Sequence, residues 1–138
     1  MKKLIICFFL LGLLSSCDPI PVLLEFSIVN NSADTIGYTV YSHSIKDRNN
    51  DVVSYLRKGE LFCPLDTIES FIQHYGFDDT WGSFFQYEKI DTLYICISRK
   101  LYERDGNKLP NDSNVLKIYK ISDDNFDMNQ KKPIFVYP

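Results

Sequence analysis

The sequence predicts a mainly β protein, a small β-sandwich or partly open barrel carrying one or two short helices. Apolar and polar residues alternate with period two in several short runs, the signature of half-buried strands. Clusters of Asn, Asp, Ser, Gly and Pro separate those runs as turns do. Helical spacing is confined to two short stretches, and no repeat at solenoid or propeller spacing is present. Strands of this kind bury their apolar faces by packing sheet on sheet.

In chain order, Leu24, Phe26 and Ile28 alternate with Glu25 and Ser27 in a first strand. Asn30-Asn31-Ser32-Ala33-Asp34 is a turn cluster, and Ile36, Tyr38 and Val40 then alternate with Gly37 and Thr39. The two strands read as a β-hairpin with a short loop. Residues 42–51 are polar and loop-like, and 52–57 form another strand ending at Lys58-Gly59. The stretch 64–76 has two readings. Asp66 and Glu69 have capping-box spacing, and Ile68, Phe71, Ile72 and Tyr75 share a helical stripe. A third strand fits the same residues. Residues 80–87 form a short helix, capped by Asp79 or Thr80, with Trp81, Phe84 and Phe85 on one face. Residues 92–98 are a strand with Leu93, Ile95 and Ile97 inward, followed by a loop from Asp105-Gly106 to Asn114. Val115–Ile121 is a further strand and Ser122-Asp123-Asp124-Asn125 a turn. Ile134–Tyr137 is the last strand, whose ladder Pro138 cannot extend.

Upstream lies a different kind of segment. Lys2 and Lys3 precede an apolar run over 4–14, the n- and h-regions of a secretory leader. A membrane-spanning helix needs about 20 apolar residues, and Asp18 and Pro19 stop this one short. Leu14-Ser15-Ser16-Cys17 resembles a bacterial lipobox, in which cleavage leaves a cysteine at the new N-terminus for lipid attachment. The expected organisation is a lipoprotein signal peptide over 1–16, lipidated Cys17 with a short tether over 17–21, and one β-rich domain over 22–138. Cleavage leaves 122 of the 138 residues, enough for one domain that buries about two thirds of its unfolded surface. One acyl chain holds a membrane only marginally. The diacylglycerol and third chain that the lipobox resemblance implies make attachment permanent. Pro19 and Pro21 stiffen a tether that keeps the domain within about 15 Å of the bilayer. The expected location is the cell envelope, lipid-anchored in the outer membrane, with a periplasm-facing anchor favoured over a surface-exposed one.

Loss of Lys2 and Lys3 takes the formal charge from −3 to −5. Arg99-Lys100 and Lys131-Lys132 are isolated pairs, so nucleic acid is not an expected partner. Cys7 leaves with the leader and Cys17 takes lipid. Cys63 and Cys96 remain, either as a disulfide, which an envelope compartment permits, or as two buried thiols. A bridge would stabilise the fold by about 3–4 kcal/mol.

No residue pattern reaches the specificity of a catalytic motif. Asp47, Asn49 and Asp51 have the first spacings of a calcium loop, but Val52 and Lys58 stand where its Gly and bidentate Glu belong. His43 and His74, the only histidines, lie in no metal-ligand spacing. Neither metal nor cofactor is expected. Cys63 or Cys96 would act as a nucleophile only with one of these histidines beside it. Tyr75, Trp81, Phe84 and Phe85 belong to the densest aromatic region, a candidate binding surface if exposed and core if buried. The tripeptide Asp-Thr-apolar occurs at Asp34-Thr35-Ile36, Asp66-Thr67-Ile68 and Asp91-Thr92-Leu93. It resembles the O-glycosylation acceptor of exported Bacteroidota proteins, which makes Thr35, Thr67 and Thr92 candidate acceptors. The same tripeptide also serves simply to start a strand after a turn.

Asn30-Asn31-Ser32…Asp34-Thr35-Ile36, Trp81…Phe84-Phe85…Asp91-Thr92-Leu93 and Val136-Tyr137-Pro138 together resemble a group of small lipoproteins of the Bacteroidota. Val115-Leu116-Lys117-Ile118-Tyr119-Lys120-Ile121 is similar to a strand of that group, with Ile118 where arginine is usual. The resemblance spans most of the mature chain and implies framework rather than an activity. The function expected is a membrane-tethered, non-catalytic interaction or envelope accessory module with an envelope protein as partner. The alternatives are an inhibitor or immunity-type lipoprotein, or an enzyme whose site is assembled from residues distant in sequence.

Overall fold

The computed structural model describes residues 20–47, 52–76, 78–102 and 107–138. Two sheets pack face to face without closing into a barrel, a small β-sandwich. Strands β1 (Val22–Asn30), β4 (Thr67–His74) and β7 (Ile134–Tyr137) form one sheet in the order β4-β1-β7. The other has the order β3-β2-β5-β6, from β2 (Ile36–Ser44), β3 (Ser54–Phe62), β5 (Ile90–Ser98) and β6 (Val115–Ile121). Neighbouring strands are antiparallel except β7, which runs parallel to β1. A helix, α1 (Trp81–Glu88), links β4 to β5, and a 3-10 turn (Ile45–Asp47) follows β2.

Alternation in the sequence becomes the core. Leu24, Phe26 and Ile28 are buried from one sheet, and Ile36, Tyr38, Val40, Leu93, Ile95 and Ile97 from the other. Trp81 and Phe84 of α1 join the same cluster, with Trp81 edge-on to Phe26 and Phe126. Thr80 caps the helix by accepting from Ser83 N at 3.2 Å, which settles the choice between Asp79 and Thr80. Lys89 ends it in the left-handed region at φ 55°, its N–H bonded to Phe85 O.

The open flanks of the sandwich are each closed by one side chain. On one flank, Arg57 Nη1 of β3 donates to the Phe71 carbonyl of β4 at 2.6 Å, and its guanidinium lies 4.3 Å from the Phe71 ring centroid. On the other, the Tyr119 hydroxyl of β6 donates to the Val136 carbonyl of β7, with the Tyr119 and Phe135 ring centroids 5.2 Å apart. Both carbonyls belong to edge strands, whose outward backbone groups otherwise template unwanted pairing.

Several expectations need correction. The first two strands are not a hairpin: β1 and β2 lie in different sheets, joined by an arch over 31–35. Asn30, wholly buried, organises that arch. Its Nδ2 donates to Asp34 O at 2.8 Å and Cys63 O at 3.0 Å, and its Oδ1 accepts from Ser32 Oγ at 2.6 Å. The stretch 64–76 is strand β4, not helix. It pairs with β1 over eight residues, from Val22↔His74 to Val29↔Thr67, so cross-strand bonding overrides the local helical stripe. Strand β2 continues to Ser44, into the stretch expected to be loop, and β3 continues through Gly59 to Phe62. At Gly59 the Tyr38 ring covers the backbone so closely that a Cβ would lie 2.3 Å from it.

Cys63 and Cys96 are not bridged. Cys96 sits within β5 and Cys63 just beyond β3, with β2 lying between those two strands. Two strand spacings, about 10 Å, exceed the roughly 7 Å of Cα separation a disulfide spans. The pair of buried thiols is half right, since Cys96 is buried and Cys63 exposed.

Candidate functional site

The arrangement that most resembles chemistry joins two residues 48 positions apart. His43 Nδ1 of β2 lies 2.8 Å from Asp91 Oδ1 of β5, and both side chains are largely buried. The β2–β5 ladder, with His43 opposite Thr92 and Ser44 opposite Ile90, brings them together. A carboxylate on one imidazole nitrogen orients the ring and fixes its tautomer. Beside the pair, Ile45, Gly82, Phe85, Ile90, Asp91, Asp123 and Met128 line a cleft of about 240 Å³. The sequence reading missed this pair because no local spacing encodes it; only the strand register does.

Neither cysteine completes such a site. Cys96 pairs in register with Thr39, four positions along β2 from His43, which is about 13 Å of strand. Burial pushes its thiol up to about 12, so it stays protonated and unreactive near neutral pH. His74 lies in the other sheet, wholly buried, with its ring edge-on to Phe84 at 5.4 Å. Its Nδ1 accepts from Gly76 N at 3.0 Å, which leaves the ring proton on Nε2, a buried atom with no hydrogen-bond partner among the described residues. Burial lowers the pKa of His74, outweighing the nearby carboxylates of Glu88 and Asp78.

A larger cleft, about 440 Å³, opens on the outer face of the four-stranded sheet between Tyr41, Lys100, Tyr102, Lys108 and Asp112. Two of its charged groups, Lys100 and Asp112, pair with each other. Asp112 accepts from the Tyr102 hydroxyl at 2.5 Å and from Asn114 N at 2.8 Å, and pairs with Lys100 Nζ at 3.1 Å. These donors hold its carboxyl below the usual carboxylate range, the Tyr102 bond contributing most. Burial, followed by the Asp112 bond, raises the Tyr102 phenol. Tyr41, beneath them, is raised to about 12 by burial.

The aromatic surface is corrected. Trp81, Phe84 and Phe85 are 0%, 1% and 7% exposed, so they form core, and only Tyr75 of that set is exposed. The three Asp-Thr-apolar motifs also separate. Thr35 and Thr67 are exposed, whereas Thr92, in β5, is buried. Thr35 and Thr67 lie at the same end of the sandwich, where Asn30 N donates to Asp66 O at 2.9 Å and Asn30 Nδ2 to Asp34 O. Cys17 and the calcium-like residues Asn49 and Asp51 lie outside the described residues. Among the described residues no cluster of three His, Cys, Asp or Glu is placed to hold a metal ion, and no helix is long and apolar enough to cross a membrane. Compared with protein-family models, with curated proteins and with solved structures, the chain matches none.

Proposed function

We propose that this chain is a lipid-anchored envelope protein whose β-sandwich acts as a non-catalytic interaction module beside the membrane. The observation that carries this reading is the junction between leader and fold. Only residues 18–21 separate Cys17 from the first residue of β1, Val22. At about 3.3 Å per extended residue, an acylated Cys17 holds the domain within about 15 Å of the lipid. The state of Cys96 and of His74 supports binding over hydrolysis. Cys96 is a buried, protonated thiol and His74 a core residue, which leaves neither accessible as nucleophile or base.

Metabolic labelling with a palmitate analogue tests the reading. The wild-type chain should take the label and fractionate with membranes, while Cys17→Ser should be unlabelled and released. A wild-type chain that carries no label, or a Cys17→Ser chain that stays with membranes, overturns it.

A further inference from the structure

The anchor enters at one end of the sandwich, and that end presents a ring of exposed apolar side chains. Ile20 and Leu23 are 84% and 46% exposed where the chain enters β1. Val22 pairs with His74, so Tyr75, which follows β4, stands beside them and is 46% exposed. Ser44, the last residue of β2, pairs with Ile90, the first of β5, so Ile45 and the end of α1 meet at the same end. Ile45 N donates to Lys89 O at 3.0 Å, and Ile45 and Tyr87 are 43% and 46% exposed. Two exposed cations, Lys46 and Lys89, flank the ring.

We infer that this end of the sandwich, built from Ile20, Leu23, Ile45, Tyr75 and Tyr87, rests in the interfacial layer of the bilayer to which the chain is anchored. The inference deepens the lipid-anchor reading and rests on it. Exposure alone does not select this end, because Leu61 and Leu65 are also exposed at the other. The tether selects it: three residues from Cys17 to Ile20 reach about 10 Å at most, comparable to the depth of the headgroup layer. Tyrosines suit that depth because the ring is apolar and the hydroxyl finds water or a phosphate. Lysines suit it because the stem lies along apolar surface while the ammonium reaches a phosphate. Of the acidic groups near this end, Asp79 is paired with Lys131 at 2.8 Å. The seating orients the molecule. Thr35, Thr67 and the Asn30 arch then point away from the membrane, a strand's length or about 30 Å from the lipid.

The test uses the full mature lipoprotein in phosphatidylethanolamine vesicles, on a Cys63→Ser background. Single nitroxide labels are placed at positions 45, 75 and 87 near the anchor, and at 32 and 66 at the far end. Collision rates with oxygen, which partitions into lipid, are compared with those of a water-soluble nickel chelate. The near labels should favour oxygen by several-fold over the far ones, and three independent positions guard against one label disturbing its site. A vesicle-bound chain whose near and far labels see the nickel chelate equally overturns the seating while leaving the anchor intact. A chain that carries no acyl group and does not float with vesicles overturns the anchor, and the seating with it.

Discussion

Tyr38, in the middle of β2, donates its hydroxyl across the sandwich to Ser70 Oγ in β4. The two sheets therefore share a polar contact inside the core, and it fixes where the Tyr38 ring lies. That ring covers Gly59 of β3, where an added Cβ would fall 2.3 Å from a ring carbon. The ring cannot withdraw without giving up Ser70. Gly59→Ala should therefore destabilise the fold by about 2–3 kcal/mol, in the range of overpacked cores. Tyr38→Phe, which strands the Ser70 hydroxyl, should cost about 1–2 kcal/mol. Urea unfolding followed by circular dichroism reads both, and a Gly59→Ala protein as stable as wild type would contradict the packing.

Asn30 makes a second prediction. Its amide holds the arch through Asp34 O and the β3–β4 turn through Cys63 O, while wholly buried. Asn30→Ala leaves two carbonyls without their donor and should destabilise by about 2–4 kcal/mol. Asn30→Asp should be no better, because a carboxylate cannot donate to either carbonyl. Thermal melting of the two variants checks this, with both expected well below wild type.

These contacts mark the limit of what the sequence discloses. The positions and buried faces of β1 and β5 were legible, because Leu24-Phe26-Ile28 and Leu93-Ile95-Ile97 carry a period that only a half-buried strand explains. The helix was legible too, from Thr80 and the spacing of Trp81, Phe84 and Phe85. Partner choice was not. A short polar linker looks the same whether it closes a hairpin or arches between sheets, and here the difference is Asn30 reaching a carbonyl 33 residues away. In 64–76 two periods compete, Ile68-Phe71-Ile72-Tyr75 for helix and Ile68-Ser70-Ile72-His74 for strand. Eight paired residues on β1 decide for strand. The His43–Asp91 pair was invisible for the same reason, since register between β2 and β5 creates it.

The cysteines should react very differently. Cys63 is exposed, and Cys96 is buried with its thiol pushed up to about 12. Against the usual thiol value of 9.0, that lowers the thiolate fraction of Cys96 by roughly a thousandfold before access is considered. An aromatic disulfide reagent at pH 8 should modify one thiol rapidly and the second only in denaturant. Cys63→Ser should abolish the rapid phase. Rapid modification of two thiols in the native protein would contradict the burial of Cys96.

Any O-linked sugar added to the folded chain should fall on Thr35 and Thr67 and spare Thr92. The first two are exposed beside turns, whereas Thr92 is 8% exposed in β5, a strand paired on both sides. A transferase cannot reach a hydroxyl held inside a sheet without opening it. Glycopeptide mapping of the native lipoprotein checks this, and a sugar on Thr92 would mean that modification precedes folding.

His74 makes the fold sensitive to acid. In the native state its Nδ1 accepts from Gly76 N, so protonation there forfeits that bond and places a charge against the Phe84 ring. Burial accordingly lowers its pKa, while in the unfolded chain it titrates near 6.5. Between those values the unfolded chain binds more protons. Stability is therefore complete above about pH 6.5 and falls as pH drops towards the native pKa, by up to about 1.4 kcal/mol for each pH unit between them. Urea midpoints at pH 7.5, 6.5 and 5.5 should decline in that order. His74→Phe loses the Gly76 bond and starts less stable, but its midpoint should change less over the same interval, because the group that takes up the proton is gone. An unchanged slope in the variant would assign the acid sensitivity to other groups.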